Sequence, residues 1–400
     1  MKPAVLLLLL TVLAVWMAGC GHSPLPKFLP EEPLDNAVAV LSPSATVPRA
    51  PATVSATLTV PAARKENYQA GRLYLWHEDT LFSLPADCII LSTVPCPAPA
   101  ALLTSTTSHA PLRWSRDGRL GAVFVSQPGD QTATLYIYNP QTGTWNALLK
   151  GPYGNALAWS PDGLRLAFST WVEEQNGEQI NHVYIARVDD STVQNVTSAL
   201  PGIKSSFTWV NADTLAFSVF SPRNRIDDIY LYSLTNSNIT KITPWQDAEM
   251  LSSYDSLTYL SDGILAFTAW GGGDIYQPDW KSFLGQFDDS RVQELPALPS
   301  LHVWSPDRRW AMGITWGDPR NNAPDQLTLF SRRDLSSRTV LSLDSCEDWA
   351  WSPDSRYVLI QGYEEWWLLS ITGQAVPLED RLERVGISAF GSQSLSWGPP

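Results

Sequence analysis

Five aspartates, Asp117, Asp162, Asp262, Asp307 and Asp354, recur along the chain, each three residues after an aromatic residue. Carboxylates repeated at one station could ligate a metal or serve as general acids and bases. Their context gives another reading. In Trp-Ser-Pro-Asp-Gly, serine suits the first position of a type I turn, proline presets the second, and aspartate bonds to nearby backbone N–H groups. Glycine accepts the position that closes the turn. Aspartates that return in nearly every such unit are expected to form turns, not a catalytic set. The five histidines are scattered, and His302 is the one placed near a strand that could face an axis, although a packed or solvated histidine is the commoner outcome. Nucleophile-elbow, zinc-protease and phosphate-loop patterns do not occur, nor do cysteine pairs with zinc spacing. No cofactor or metal is expected.

The elements that carry these turns repeat. LRWSRDGRLGAVFVS, LAWSPDGLRLAFSTW, FTWVNADTLAFSVF, LTYLSDGILAFTAW, HVWSPDRRWAMGITW and WAWSPDSRYVLIQGY align on Trp114, Trp159, Trp209, Tyr259, Trp304 and Trp351. A shortened LSWGPP follows at Trp397. Successive anchors lie 45, 50, 50, 45, 47 and 46 residues apart. A period of that size, built from short apolar runs and turns, is the mark of a β-propeller. Each hairpin is followed by a third strand, as in TLYIYN or HVYIAR, and by a weaker fourth, as in TVQNVTS or ITKITP. The unit at Tyr259 carries an insertion around WGGGDIYQPDWKSF.

Six units are complete, and the seventh has only its first strand. RLYLWHE, TLFSLPAD and CIILST, within residues 72–93, supply three strands near the other end. One shared blade would pair those edges. The expected fold is therefore all-β, a seven-bladed propeller of four-stranded blades over residues 66–400. Six blades with two loose ends is the rival count.

The Trp-Ser-Pro-Asp-Gly unit with its following Ile/Leu-Ala-Phe strand resembles the repeat of TolB-type β-propellers, over roughly residues 70–400. The resemblance implies the fold and leaves function open, because such rings serve as scaffolds, binding modules and parts of enzymes. The third copy departs from it with VNAD, and the residues before the ring do not read as the α/β domain that precedes the propeller in TolB itself.

MKPAVLLLLLTVLAVWMAGC begins with Lys2 and an apolar stretch too short to span a bilayer comfortably, which reads as a signal peptide over residues 1–19. Met17-Ala18-Gly19-Cys20 resembles a bacterial lipobox, which implies lipidation of Cys20 and an extracytoplasmic, membrane-anchored protein. The alternative is an ordinary secretory signal. Residues 20–65, which hold eight prolines, read as a tether. With 27 Lys and Arg against 40 Asp and Glu, the net charge is −13, which argues against nucleic-acid binding. Export permits disulfides. A Cys88–Cys96 bridge would require the chain to turn back near Ser92–Pro95, because Cα atoms must come within about 7 Å.

Two features point to ligands. Three residues beyond the Phe168 position, the second strands end in Ser126, Trp171, Phe220, Trp270, Trp316 and Tyr363. Five of the six are aromatic, on the face opposite the Asp-Gly turns and beside polar loops. Such rims suit sugars or extended peptides, and they equally suit caps on the core between blades. Just before the anchors lie Arg113, Ala158, Thr208, Thr258, Val303, Ala350 and Ser396. Arg113 is the one long, charged residue where inner strands converge. It marks a candidate anion site, with an ion pair to a neighbouring blade as the alternative. The expected function is a monomeric, lipid-anchored binding module for a protein or glycan partner. A polysaccharide lyase or hydrolase with its site in the central pocket is the alternative.

Overall fold

The computed structural model describes residues 70–91, 94–104, 111–126, 132–151, 153–170, 172–175, 178–221, 226–242, 254–274, 277–287, 292–299, 301–317, 323–387 and 392–398. These form seven four-stranded antiparallel sheets arranged as a ring. Blade 1 joins Ser392–Gly398 to Arg72–His77, Thr80–Pro85 and Ala100–Thr104. Blades 2 to 7 span 113–151, 153–195, 203–241, 254–294, 301–343 and 346–377. Their first strands are Arg113–Trp114, Tyr153–Trp159, Ile203–Asn211, Tyr254–Ser261, Leu301–Trp304 and Cys346–Trp351. Neighbouring first strands pack against one another, so they surround the axis.

The core lies between the blades. Among the described residues there are seven buried apolar clusters, one at each interface of consecutive blades. The second strands therefore lose both faces to neighbours. Along Arg165–Thr170, Leu166 and Phe168 turn toward blade 2 while Ala167 turns toward blade 4, and all three are fully buried. This is why the sequence there runs Leu-Ala-Phe without polar alternation.

The anchor tryptophans join the blades directly. The indole N–H of Trp159 donates to the carbonyl of Arg113 at 2.8 Å, that of Trp209 to Ala158 at 3.0 Å, and that of Trp351 to Val303 at 3.0 Å. Each acceptor immediately precedes the anchor of the blade before. In blade 6, Trp304 instead sets its ring edge-on to Phe330 and His302.

The turns have the expected chemistry in four blades. Ser115, Ser160, Ser305 and Ser352 each donate to the aspartate two residues on. The same hydroxyls accept the N–H five residues on. The aspartates also accept the N–H of Arg119, Leu164, Arg309 and Arg356. Asp262 departs from this scheme. Tyr259 pairs with Leu265, six residues on, where Trp159 pairs with Leu166 at seven. The missing residue leaves a tight hairpin with Asp262 at φ 53° and Gly263 at φ 75°, a geometry suited to Asp-Gly. The insertion in blade 5 is a lengthened hairpin, Ile264–Asp274 against Gln277–Gln286.

Blade 1 closes the ring through the chain's last described strand, and one expected element differs. The outer strand is Ala100–Thr104, whereas CIILST is not a strand: Asp87–Ile90 form a helical turn. The cause is covalent. Cys88 and Cys96 form a disulfide with Cα atoms 4.8 Å apart, which an extended segment of that length cannot reach. This bridged loop places Ala86, Cys88 and Ile89 against Leu378, Leu382 and Ile387, thickening the interface of blades 7 and 1. Across the other interface of blade 1, Gly398 lies under Trp114. A Cβ there would meet Trp114 at 2.5 Å.

Removing residues 392–400 would bare the Arg72–His77 edge and delete the buried Leu395 and Trp397. Loss of two such side chains costs about 2–5 kcal/mol each, so the truncated protein is expected to lose its cooperative melt or its solubility. A thermal melt equal to that of the parent would contradict closure through this strand.

Candidate functional site

The inner strands bring two charged groups to the axis. Arg113 precedes Trp114 at the inner edge of blade 2. Its side chain is exposed on the inner strand, and the protein packed near it lowers its pKa by desolvation. No hydrogen bond or ion pair joins that guanidinium to a described residue. Asp348 lies on the inner strand of blade 7, so blade 1 stands between the two. Its Oδ2 accepts the N–H of Leu395 from blade 1 at 2.6 Å, and its Oδ1 accepts the N–H of Trp349 at 2.8 Å.

Arg113 and Asp348 attract each other, but both shift toward their neutral forms. Burial is the largest cause for each and outweighs the attraction. The Asp348 carboxyl is pushed up to about 7, against the lowering effects of two backbone N–H groups and Arg113. A carboxyl that titrates near neutrality in a channel can hold or release a proton. A desolvated guanidinium seeks a carboxylate or phosphate.

The other sequence candidates are dispersed. Phe220 and Trp316 are half-buried at the ends of their second strands, and Trp316 packs against the core between blades 6 and 7. Tyr363 is 53% exposed. Ser126 occupies the expected strand end, whereas Trp270 lies inside the lengthened strand Ile264–Asp274, paired with Trp280; the side chains of both lie outside the described set, as do Trp171 and Cys20 entirely. Thus Trp316 has the surroundings of a core cap, and Tyr363 those of a solvent-facing ring. His302 does not reach the channel. It is buried between blades, with Nδ1 at 3.2 Å from the Pro299 carbonyl oxygen.

Asp348 was not singled out by sequence. It stands three residues before Trp351, outside the aligned turn, and a lone aspartate in CEDWAW carries no local motif. Its signal was positional: a carboxylate on an inner strand, where the other blades place mainly apolar or hydroxyl side chains.

This fold and this channel define a seven-bladed β-propeller with charged groups on its axis. No family model and no curated sequence matches the chain. Among solved structures it is similar to TolB from Acinetobacter baumannii, at 15% identity over 82% of this chain and 67% of that one, with a TM-score of 0.49. It is also similar to an oligogalacturonate lyase from Vibrio parahaemolyticus, at 12% identity over 77% and 86% of the two chains, with a TM-score of 0.50. For an acylaminoacyl peptidase from Pyrococcus horikoshii the values are 13%, 76% of this chain, 48% of that one and a TM-score of 0.53. The likenesses to the lyase and the peptidase show the shared fold alone.

Asp348 makes stability depend on pH in a defined direction. Its pKa rises from 3.8 in the unfolded chain to about 7 in the fold. Between those values the folded protein binds more protons, so the contribution of this group falls as pH rises through the window. Relative to Asp348→Asn, the wild type should lose stability across that range by at most about 1.4 kcal/mol per pH unit. Denaturant midpoints at several pH values measure the slope. Parallel curves for the two proteins would show that Asp348 does not titrate there.

Proposed function

We propose that the protein is a lipid-anchored, extracytoplasmic propeller of the bacterial envelope that acts as a monomeric, non-catalytic binding module for a protein or glycan partner. The observation that carries this reading is Arg113: a guanidinium in the axial channel, reached by water and bound to no described residue. A guanidinium that makes no hydrogen bond to a described residue, and has only the longer-range attraction of Asp348, suits an anionic partner from outside. Four of the recurrent aspartates, by contrast, are spent on their own turns. The anchor rests on the Cys20 lipobox and the proline-rich segment after it.

One observation favours a second reading, a propeller-type polysaccharide lyase or hydrolase. Asp348, near neutrality and close to an arginine, has the properties of a proton-transfer group. A lyase is also among the proteins of similar fold. The two readings separate when the purified chain is incubated with a panel of envelope glycans, peptides and acidic polysaccharides. The module predicts saturable binding with every ligand recovered intact, and the enzyme predicts shortened products whose formation stops in Asp348→Asn. Anchoring has its own test: Cys20→Ser should release the protein from membranes or block its processing. Unchanged fractionation and mass would remove the lipoprotein reading.

A further inference from the structure

Two more arginines break the repeat. The turn Ser-Pro-Asp-Gly becomes Ser115-Arg116-Asp117-Gly118 in blade 2 and Ser305-Pro306-Asp307-Arg308 in blade 6. Arg116 takes the place of the proline, and Arg308 that of the glycine. The backbone at Arg308 retains the glycine conformation, with φ 61°, beside φ 70° at Gly118 and Gly163. A long side chain in that region carries strain that glycine does not. The turns touch from blade to blade along one rim. Asp307 donates its N–H to Ser355 of the next blade, and a Cβ on Gly163 would contact Asp117 of the preceding one.

Blades 2 and 6 are not neighbours, yet Arg116 and Arg308 repel each other. They therefore face across the mouth of the channel. Burial and this repulsion lower the Arg308 pKa to about 10, with Asp307 opposing. Neither guanidinium bonds to a described residue. Several other arginines of this acidic chain are engaged: Arg119 with Asp117, Arg165 with Asp162, Arg187 with Asp189, Arg356 with Asp354, and Arg381 with the carbonyl of Ile89. Arg113 lies one residue before the blade 2 anchor, below the same mouth. Blade 7 places Ser355 at the glycine position with the same φ of 61°, so the backbone there accepts other residues, but only blades 2 and 6 put arginines in the turn. Two arginines from separate blades that repel each other and bond to no described residue are groups that an anionic ligand would join.

We propose that Arg116, Arg308 and Arg113 form a polyanion site running inward from the turn-face mouth of the channel, for a ligand that carries two or more carboxylate or phosphate groups. The upper pair receives one anionic group, and Arg113 receives a second deeper in the channel. Bidentate geometry makes arginine the suitable residue for both groups. This deepens the reading of the ring as a binding module and rests on it.

The test uses the full chain with tricarballylate as the carboxylate probe and inorganic pyrophosphate as the phosphate probe, by calorimetry at low and high salt. The wild type should bind at least one of the two saturably, with affinity falling as salt rises. Preference between the probes identifies the anionic group. Arg308→Gly restores the residue that blades 2 and 3 carry at this position, so it should melt at or above the wild-type temperature while binding the probe at least about tenfold more weakly. Arg113→Gln should weaken binding similarly, and Arg119→Gln, in a solvent-facing ion pair, should not. Failure of the wild type to bind either probe, or equal binding by Arg308→Gly and Arg113→Gln, would overturn the site. If those two variants still capture a glycan or peptide found in the panel, the module stands and only the channel assignment falls.

Discussion

Every blade depends on its neighbours for burial. An isolated four-stranded sheet with a second strand such as Arg165–Thr170 would expose apolar side chains on both faces, and the ring removes both faces at once. The indole-to-carbonyl bonds of Trp159, Trp209 and Trp351 set the spacing of adjacent inner strands. They also decide what lines the channel. The acceptor of Trp159 is the backbone of Arg113, so the bond that joins blade 3 to blade 2 also fixes the point from which the Arg113 side chain departs. A net bond of about 1 kcal/mol is modest alone, but it lies at the inner edge, where small displacements change the width of the axis.

Blade boundaries, the blade count and the shared closing blade were legible because they follow from local patterns: an aromatic anchor, a Ser-Pro-Asp-Gly turn and a doubly buried strand, repeated at a steady interval. Two features escaped because their causes are not periodic. CIILST has the composition of a strand, and only the Cys88–Cys96 bridge makes the chain coil there. Asp262 has the letters of the common turn, but a one-residue deletion between Tyr259 and Leu265 changes its backbone. The charged channel was half legible. Arg113 stood out against small neighbours at aligned positions. Asp348 did not, because its meaning comes from Leu395, 47 residues away in sequence and one blade away in space.

Repetition supplies the means of reading function as well as fold. A residue that keeps the repeat serves the ring, as the turn serines and aspartates do. A residue that breaks it at structural cost invites another explanation. Arg308 in a left-handed backbone position and Asp348 with its ionisation disfavoured are both of this kind. Propeller sites draw such residues from separate blades, so no short motif announces them, and only superposition of the blades on one another brings them to notice.

The closing blade also sets an order in time. Trp397 donates its indole N–H to the carbonyl of Ala70, 327 residues earlier, at 2.7 Å. At a synthesis rate of about 5–20 residues per second, that interval lasts on the order of half a minute. Until Ser392–Gly398 is in place, Arg72–His77 has one edge unpaired. Early strands must therefore avoid other chains until the late one arrives, and a strand bearing Arg72 at one end and His77 at the other is suited to that wait. For this ring, a contact spanning 327 residues of sequence is also the one that makes it a ring.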